Sequence, residues 1–251
     1  MTGASSGIGI EVARELARRG YAVTLVARRE DRLRELAEEL GNGAQAHACD
    51  VTDPHARKGL AEALAARGTQ VSILVNNAGF STSGPFANSD RERELDMIRT
   101  NIEAVVDFCA LFVPGMAERG SGAVLNLAST ASFQPLPMQA GYAATKAFVL
   151  SFSESLHAEL KPQGVTVTAL CPGPVKTEFA DVAEIPGAES MPDVFWAKPD
   201  QVAQAGVKGL ERGKRVVIPG VLNRAGAIGG QHAPRSLVLR VTSRVHPAAR
   251  K

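Results

Sequence analysis

The chain has 251 residues, 45% of them hydrophobic and 22% charged, with a net charge of +2. That length and balance fit one large α/β domain and leave no charge excess to draw a nucleic acid. There is no unbroken run of about 18 apolar residues and no charged leader with an apolar core, so neither a membrane span nor a signal peptide is expected. Cys49, Cys109 and Cys171 are too scattered for a metal pattern and are expected to be buried thiols of a cytoplasmic protein.

The chain opens with Thr2-Gly3-Ala4-Ser5-Ser6-Gly7-Ile8-Gly9, a glycine-rich turn leading into an amphipathic stretch at 8–19. Glycines 3, 7 and 9 permit a tight turn and let the backbone approach a pyrophosphate held at the helix N-terminus. Gly3, Ser5, Ser6, Gly7, Ile8 and Gly9 are therefore the candidate phosphate contacts. Residues 22–27 read as a buried strand, followed by Arg28-Arg29 and a helix at 31–40. Dinucleotide folds place an acid at that strand's end for the ribose hydroxyls. Two guanidiniums there suit a ribose 2′-phosphate instead and favour NADPH.

A strand is expected at 44–48, with Asp50-Val51 after it placed to hold the adenine amine, then a helix at 54–67. The apolar run 71–75 ends in Asn76-Asn77-Ala78-Gly79, small and amide residues suited to a strand end touching a cofactor. A long helix at 91–119 carries Asn101, and the strand at 123–128 ends at Ser129. In the helix at 142–160, Tyr142 and Lys146 stand on one face. A fixed ammonium there is expected to lower the pKa of the phenol and let it exchange a proton near neutrality. After the strand 165–170, residues 172–198 form a Pro- and Gly-rich loop of the length typical of a lid, with a helix at 199–212 and a last strand at 216–218 beyond it. Alternation of this kind implies a parallel sheet with helices on both faces.

Phe80, Phe86, Phe133, Leu136, Met138, Phe179, Phe195 and Trp196 are candidate walls of an apolar substrate pocket. From Glu211 to Lys251 there are seven Arg and two Lys against one acid. Leu237, Val238, Val241 and Val245 fall at helical spacing with Arg240 and Arg244 between them. Such a helix lies on an anionic membrane through 235–245, covers the cleft, or meets a partner subunit.

With these motifs assembled, the chain resembles the short-chain dehydrogenase/reductase family over residues 1–220, leaving 221–251 as a basic C-terminal extension. Thr2–Gly9 matches the family's T-G-x-x-x-G-x-G loop and Asn76–Gly79 its N-N-A-G motif. Asn101, Ser129, Tyr142 and Lys146 match the catalytic tetrad, and Pro172-Gly173 with Val175 and Thr177 the segment that holds the nicotinamide carboxamide. The resemblance implies a single-domain Rossmann fold, NADP(H) as cofactor and a carbonyl or alcohol substrate. It also implies a homodimer or homotetramer pairing the helices at 101–119 and 142–160. Tyr142 would carry the proton, Lys146 keep the phenol acidic and bind ribose hydroxyls, Ser129 bond the substrate oxygen, and Asn101 hold a proton-relay water. Arg28 and the basic extension bring the likeness nearest to NADP-dependent 3-ketoacyl and hydroxysteroid reductases. The loop departs from some NADP-specific relatives in carrying Ser5-Ser6 where they have a basic residue. A non-catalytic NADPH sensor or scaffold, or a membrane-surface adaptor, is the competing class.

In relatives about five mostly apolar residues form a strand before the glycine-rich turn, whereas here only Met1 precedes it. The first strand is therefore expected to be truncated, with a true start upstream at a codon read as methionine.

Overall fold

Short apolar runs that hydrogen-bond only to neighbouring runs need cover on both faces, and the helices between them supply it. The computed structural model describes residues 1–183 and 196–245. Its strands are β1 (Thr24–Ala27), β2 (Gln45–Ala48), β3 (Ile73–Asn76), β4 (Gly122–Leu127), β5 (Val165–Leu170) and β6 (Val216–Val217), and every paired neighbour is parallel. Between and after them come α1 (Gly7–Arg18), α2 (Glu30–Leu40), α3 (Pro54–Ala66), α4 (Arg91–Ile98), α5 (Ala104–Glu118), α6 (Ala140–Leu160), the single turn α7 (Phe179–Val182), α8 (Pro199–Glu211), α9 (Val221–His232) and α10 (Arg235–Val245). This is the α/β doubly wound arrangement expected. Asp53 caps α3 by accepting from the His55 amide at 2.8 Å, with Pro54 preset in the first turn.

The sheet is in two pieces, β1–β2 and β3–β4–β5–β6. Met1 and Thr2 join them. The Val26 amide donates to the Met1 carbonyl at 2.9 Å, and the Thr2 amide to the Val75 carbonyl at 2.9 Å. Between the two pieces Thr2 forms a single parallel bridge with Val26. Beneath it, between 22–24 and 70–74, lies a cavity of about 100 Å³ faced by Leu16, Leu60, Leu64 and Phe108. The Met1 ammonium is driven into this gap and donates to the Thr24 carbonyl at 2.7 Å. Burial pulls the amine down to about 5.

Two expectations need correction. β2 is a half-exposed edge rather than a buried strand, because nothing pairs with its outer side among the described residues. The helix expected over 91–119 is interrupted at Arg99–Glu103 by a π turn, which separates α4 from α5. The run Arg91–Glu118 also has the length and apolar composition of a spanning helix, with a window of mean hydropathy 1.3. Phe108, Cys109 and Met116 on that run belong to the core beside Val124, Val165 and Val167, as a sheet-covering helix requires.

Candidate active site

The turns after the strands all open at one edge of a parallel sheet, and ligands gather there. A cleft of about 1600 Å³ follows that edge. Gly3, Ser5, Ser6, Gly7 and Ile8 line it beside Asn77, Ala78 and Gly79. Arg28, Arg29, Asp50 and Val51 form one end, and Ser129, Tyr142, Lys146, Pro172, Gly173, Val175 and Thr177 the other.

The glycine-rich turn is held by side chains from the end of β3. Thr2 Oγ1 accepts from the Asn77 and Ala78 amides at 3.1 Å each, and Asn77 Nδ2 donates to the Gly3 carbonyl at 2.9 Å. Gly3 has a φ of +66°, and a Cβ there would fall 2.6 Å from Asn77 Nδ2, so this position requires glycine. Gly9, expected as a phosphate contact, does not line the cleft. A Cβ on it would overlap the Gly3 carbonyl, so its role is to let α1 close on the loop. Ser6 stands at the N-cap of α1 without a side-chain hydrogen bond; the Gly9 amide donates to the Ser6 carbonyl at 3.2 Å, which leaves the Gly7 and Ile8 amides at the cleft for an anion.

The two arginines after β1 are not equivalent. Arg28 is exposed at the cleft mouth near Asp50. Arg29 folds back, with Nε 3.2 Å and Nη2 3.1 Å from Ser5 Oγ, and Nη1 3.1 Å from Glu178 Oε2. Burial raises the Asp50 carboxyl, but the Thr52 amide and hydroxyl, with Arg28 beside them, hold it below its usual range.

At the other end, Ser129 follows β4 and starts a 3-10 turn, Thr130–Phe133, in which its Oγ accepts from the Ala131 amide at 3.1 Å. Ser132 Oγ donates to the Lys146 carbonyl at 2.8 Å, which fixes this turn to α6. Tyr142 and Lys146 share a face of α6, and Lys146 Nζ lies 5.8 Å from the Tyr142 ring centre. Burial pushes the phenol up to about 12, with Ser129 pulling the other way, and draws Lys146 down to about 8. This corrects the expected acidic phenol. Lys146 Nζ spends a hydrogen bond on the Leu127 carbonyl at 2.7 Å and stands over the ring, so burial dominates the tyrosine.

Asn101 sits in the π turn, a local register change often found at functional sites. Its Nδ2 donates to the Phe80 carbonyl and to Thr145 Oγ1, each at 3.0 Å, and its Oδ1 accepts from the Phe80 amide at 3.1 Å. These bonds commit both Nδ2 hydrogens, and with Asn101 outside the cleft lining its side chain positions the strand end. A Cβ at Gly79 would lie 2.9 Å from Asn101 Oδ1 and 3.4 Å from Lys146 Nζ, which explains a glycine there.

Of the expected pocket walls, Phe80, Leu136, Phe179 and Trp196 line the cleft. Phe133 packs in the core, Phe86 is exposed, and Met138 is outside the lining. Phe195 lies outside the described residues. Sequence reasoning missed Leu222, Asn223 and Ala227 of α9, which line the pocket; Val241 of α10 lines it too, in keeping with the expectation that this helix covers the cleft. Also unforeseen was Glu178, which accepts from both Arg29 and Arg32. An acid beside the Thr177 motif was the available signal.

The short chain dehydrogenase profile matches residues 1–185. The chain is 39% identical to sulfoacetaldehyde reductase 2 of Chromohalobacter salexigens, over 71% of this chain and 73% of that one. Among solved structures it is similar to a short-chain dehydrogenase from Sphingobium yanoikuyae in complex with NADPH, with a TM-score of 0.81 and 35% identity over 92% and 91% of the two chains. An alcohol dehydrogenase from Thermococcus sibiricus complexed with 5-hydroxy-NADP gives a TM-score of 0.75 and 30% identity over 87% and 93%. By sequence and by fold, the chain belongs to the short chain dehydrogenase family.

Proposed function

We propose that this protein is an NADP-dependent oxidoreductase acting on the carbonyl of an apolar ketone or aldehyde, or on the matching alcohol. One observation carries the reading: Ser129, Tyr142 and Lys146 meet in a single cleft whose far end presents the exposed guanidinium of Arg28. The residues fit a phosphorylated dinucleotide. The first-turn amides of α1 suit its pyrophosphate, Arg28 its 2′-phosphate, and Gly79 leaves room where a Cβ would meet Asn101 and Lys146.

When bound, the cofactor supplies or accepts the hydride. The chain does the rest. Tyr142, kept protonated by burial, gives its proton to the carbonyl oxygen in the reductive direction. Ser129 donates to that oxygen as charge gathers on it. Lys146 supplies positive charge under the phenol and binds ribose hydroxyls, while Asn101 holds the Phe80 backbone and Thr145 in place. Phe80, Leu136, Phe179 and Ala227 make the substrate end apolar and exclude water.

A second copy of the chain is expected to pair through α5 and α6, where exposed Phe148 stacks on Phe152 with ring centres 5.8 Å apart. Buried free thiols suit work in the reducing cytoplasm. The test is NADPH oxidation against a panel of apolar ketones, run beside NADH. Turnover of apolar ketones with NADPH preferred supports the reading. Tight NADPH binding with no turnover of any carbonyl would replace it with a cofactor sensor.

A further inference from the structure

We infer that the outer face of α9 and α10 docks this protein on an anionic lipid surface, with the bilayer meeting the rim of the cleft at Leu222 and Val241. This goes beyond the proposed reaction and does not depend on it.

Six large apolar side chains stand in solvent here: Val221 is 86% exposed, Leu222 56%, Leu237 50%, Val241 50%, Ile228 44% and Leu239 43%. Leu222 and Val241 also line the cleft, so the patch and the substrate end are continuous. On α10, Leu237 and Val241 are one helical turn apart, and Arg240 and Arg244 form a second stripe beside them. On α9, Val221, Arg224 and Ile228 share the side opposite the cleft-lining Asn223, Gly226 and Ala227. From 212 to the end of the chain there is no acidic residue.

The pairing of an apolar stripe with a parallel cationic stripe decides the occupant. An interfacial helix seats its apolar side chains at the headgroup boundary while arginine stems lie along it and their charges stay among the phosphates. A second copy is disfavoured, because a twofold contact through α10 sets Arg240 and Arg244 against the same residues of the other copy. Helices α9 and α10 border the cleft itself, so an apolar substrate dissolved in lipid enters without crossing water.

The test is flotation of the full chain with vesicles of phosphatidylcholine alone and of equimolar phosphatidylcholine and phosphatidylglycerol, at low and high salt. The expected result is flotation with the anionic vesicles only, weakened by salt. Replacing Arg240→Ser with Arg244→Ser should lower partitioning by roughly tenfold or more, and Leu237→Ser with Ile228→Ser should lower it too. Thermal melting of each variant separates lost docking from lost folding. Should the apolar pair unfold the chain, the exposed arginine pair decides alone. Failure of the unaltered chain to float with anionic vesicles overturns the inference, as does an arginine variant that floats like the original. So does an oligomer that Leu237→Ser splits in the absence of any vesicle binding.

Discussion

Arg29 reaches Glu178 at 3.1 Å across the outer wall of the cleft, joining the start of α2 to the segment after β5. Glu178 also accepts from Arg32 at 2.9 Å, and these two arginines hold its carboxyl below the usual range. One basic residue of the pair is therefore engaged and the other, Arg28, is presented. Arg28→Ala should shift the NADPH-to-NADH affinity ratio against NADPH by about tenfold or more, the value of a charge-assisted hydrogen bond. Glu178→Gln should move the ratio the other way, because it removes a carboxylate that competes for Arg29. Fluorescence titration with both cofactors checks this. A ratio unmoved by either change would mean that no 2′-phosphate is read here.

Tyr142→Phe removes the proton donor and leaves the cleft shape intact. Turnover should fall by about 10²–10⁴-fold while NADPH affinity stays near that of the original chain. Steady-state rates and a binding titration on the same preparation measure both. A variant keeping a tenth of the rate would displace Tyr142 from its role.

The pH profile follows from Lys146, which burial draws down to about 8. The reductive direction needs a protonated phenol and a charged lysine, so its kcat should hold below about 8 and fall above it. The oxidative direction needs a proton acceptor and should rise with pH. Lys146→Arg keeps the charge at all working pH values, and the reductive fall should move upward. An unchanged midpoint would assign the titration to another group.

Arg57 is 2% exposed and ties three elements together. Its Nη1 donates to the Val51 carbonyl and its Nη2 to Glu103, both at 2.7 Å, and its Nε pairs with Asp107. The adenine-side loop is thereby anchored to the π turn that carries Asn101. Arg57→Met leaves Glu103 and Asp107, 51% and 35% exposed, to be solvated. The loss should be about 1–3 kcal/mol, a few degrees of melting temperature. KM for NADPH should rise more than kcat falls. Equal effects on the two would make Arg57 merely structural.

The cavity under Met1 is open to a direct trial. In a chain that starts at Met1, the buried amine, drawn from 8.0 to about 5, binds a proton more readily in the unfolded state between those values, so stability should rise as pH goes from 5 to 8. Four apolar residues placed ahead of Met1 should fill the gap, at about 1.5–3 kcal/mol for each side chain fully buried. Melting temperature should increase and the pH dependence between 5 and 8 should flatten. An extended chain that melts no higher at pH 6 counts against a strand-shaped gap.

The layout of strands and helices was readable because parallel strands leave short apolar runs and their covering helices keep a 3.6-residue period. Tyr142 and Lys146 were readable for the same reason, since their relation is local. What depended on distant partners was not. Nothing about Asn101 in sequence says that Phe80 and Thr145 will consume its amide. Gly9 looks like a phosphate-loop glycine until the Gly3 carbonyl is seen against it. α9 contains three glycines in the span Val221–His232, which blurs its periodicity and hid its contribution to the cleft. The phenol's pKa was misjudged because helical spacing reveals a neighbouring charge but not the depth of burial.

The seam at Met1 and Thr2 bears on how long the protein survives. Arg28 and Asp50 follow strands of one sheet piece, Ser129 and Pro172 strands of the other, and all four line the cleft. A dinucleotide lying along the cleft grips both pieces and spans the join between them. At a hundred times its Kd, a ligand that binds only the folded state adds about 2.7 kcal/mol. Here that increment ties the two pieces to each other, and only the folded chain resists proteases. The cellular half-life of this protein should therefore track the size of the dinucleotide pool, lengthening when the cofactor is plentiful and shortening when it is drained.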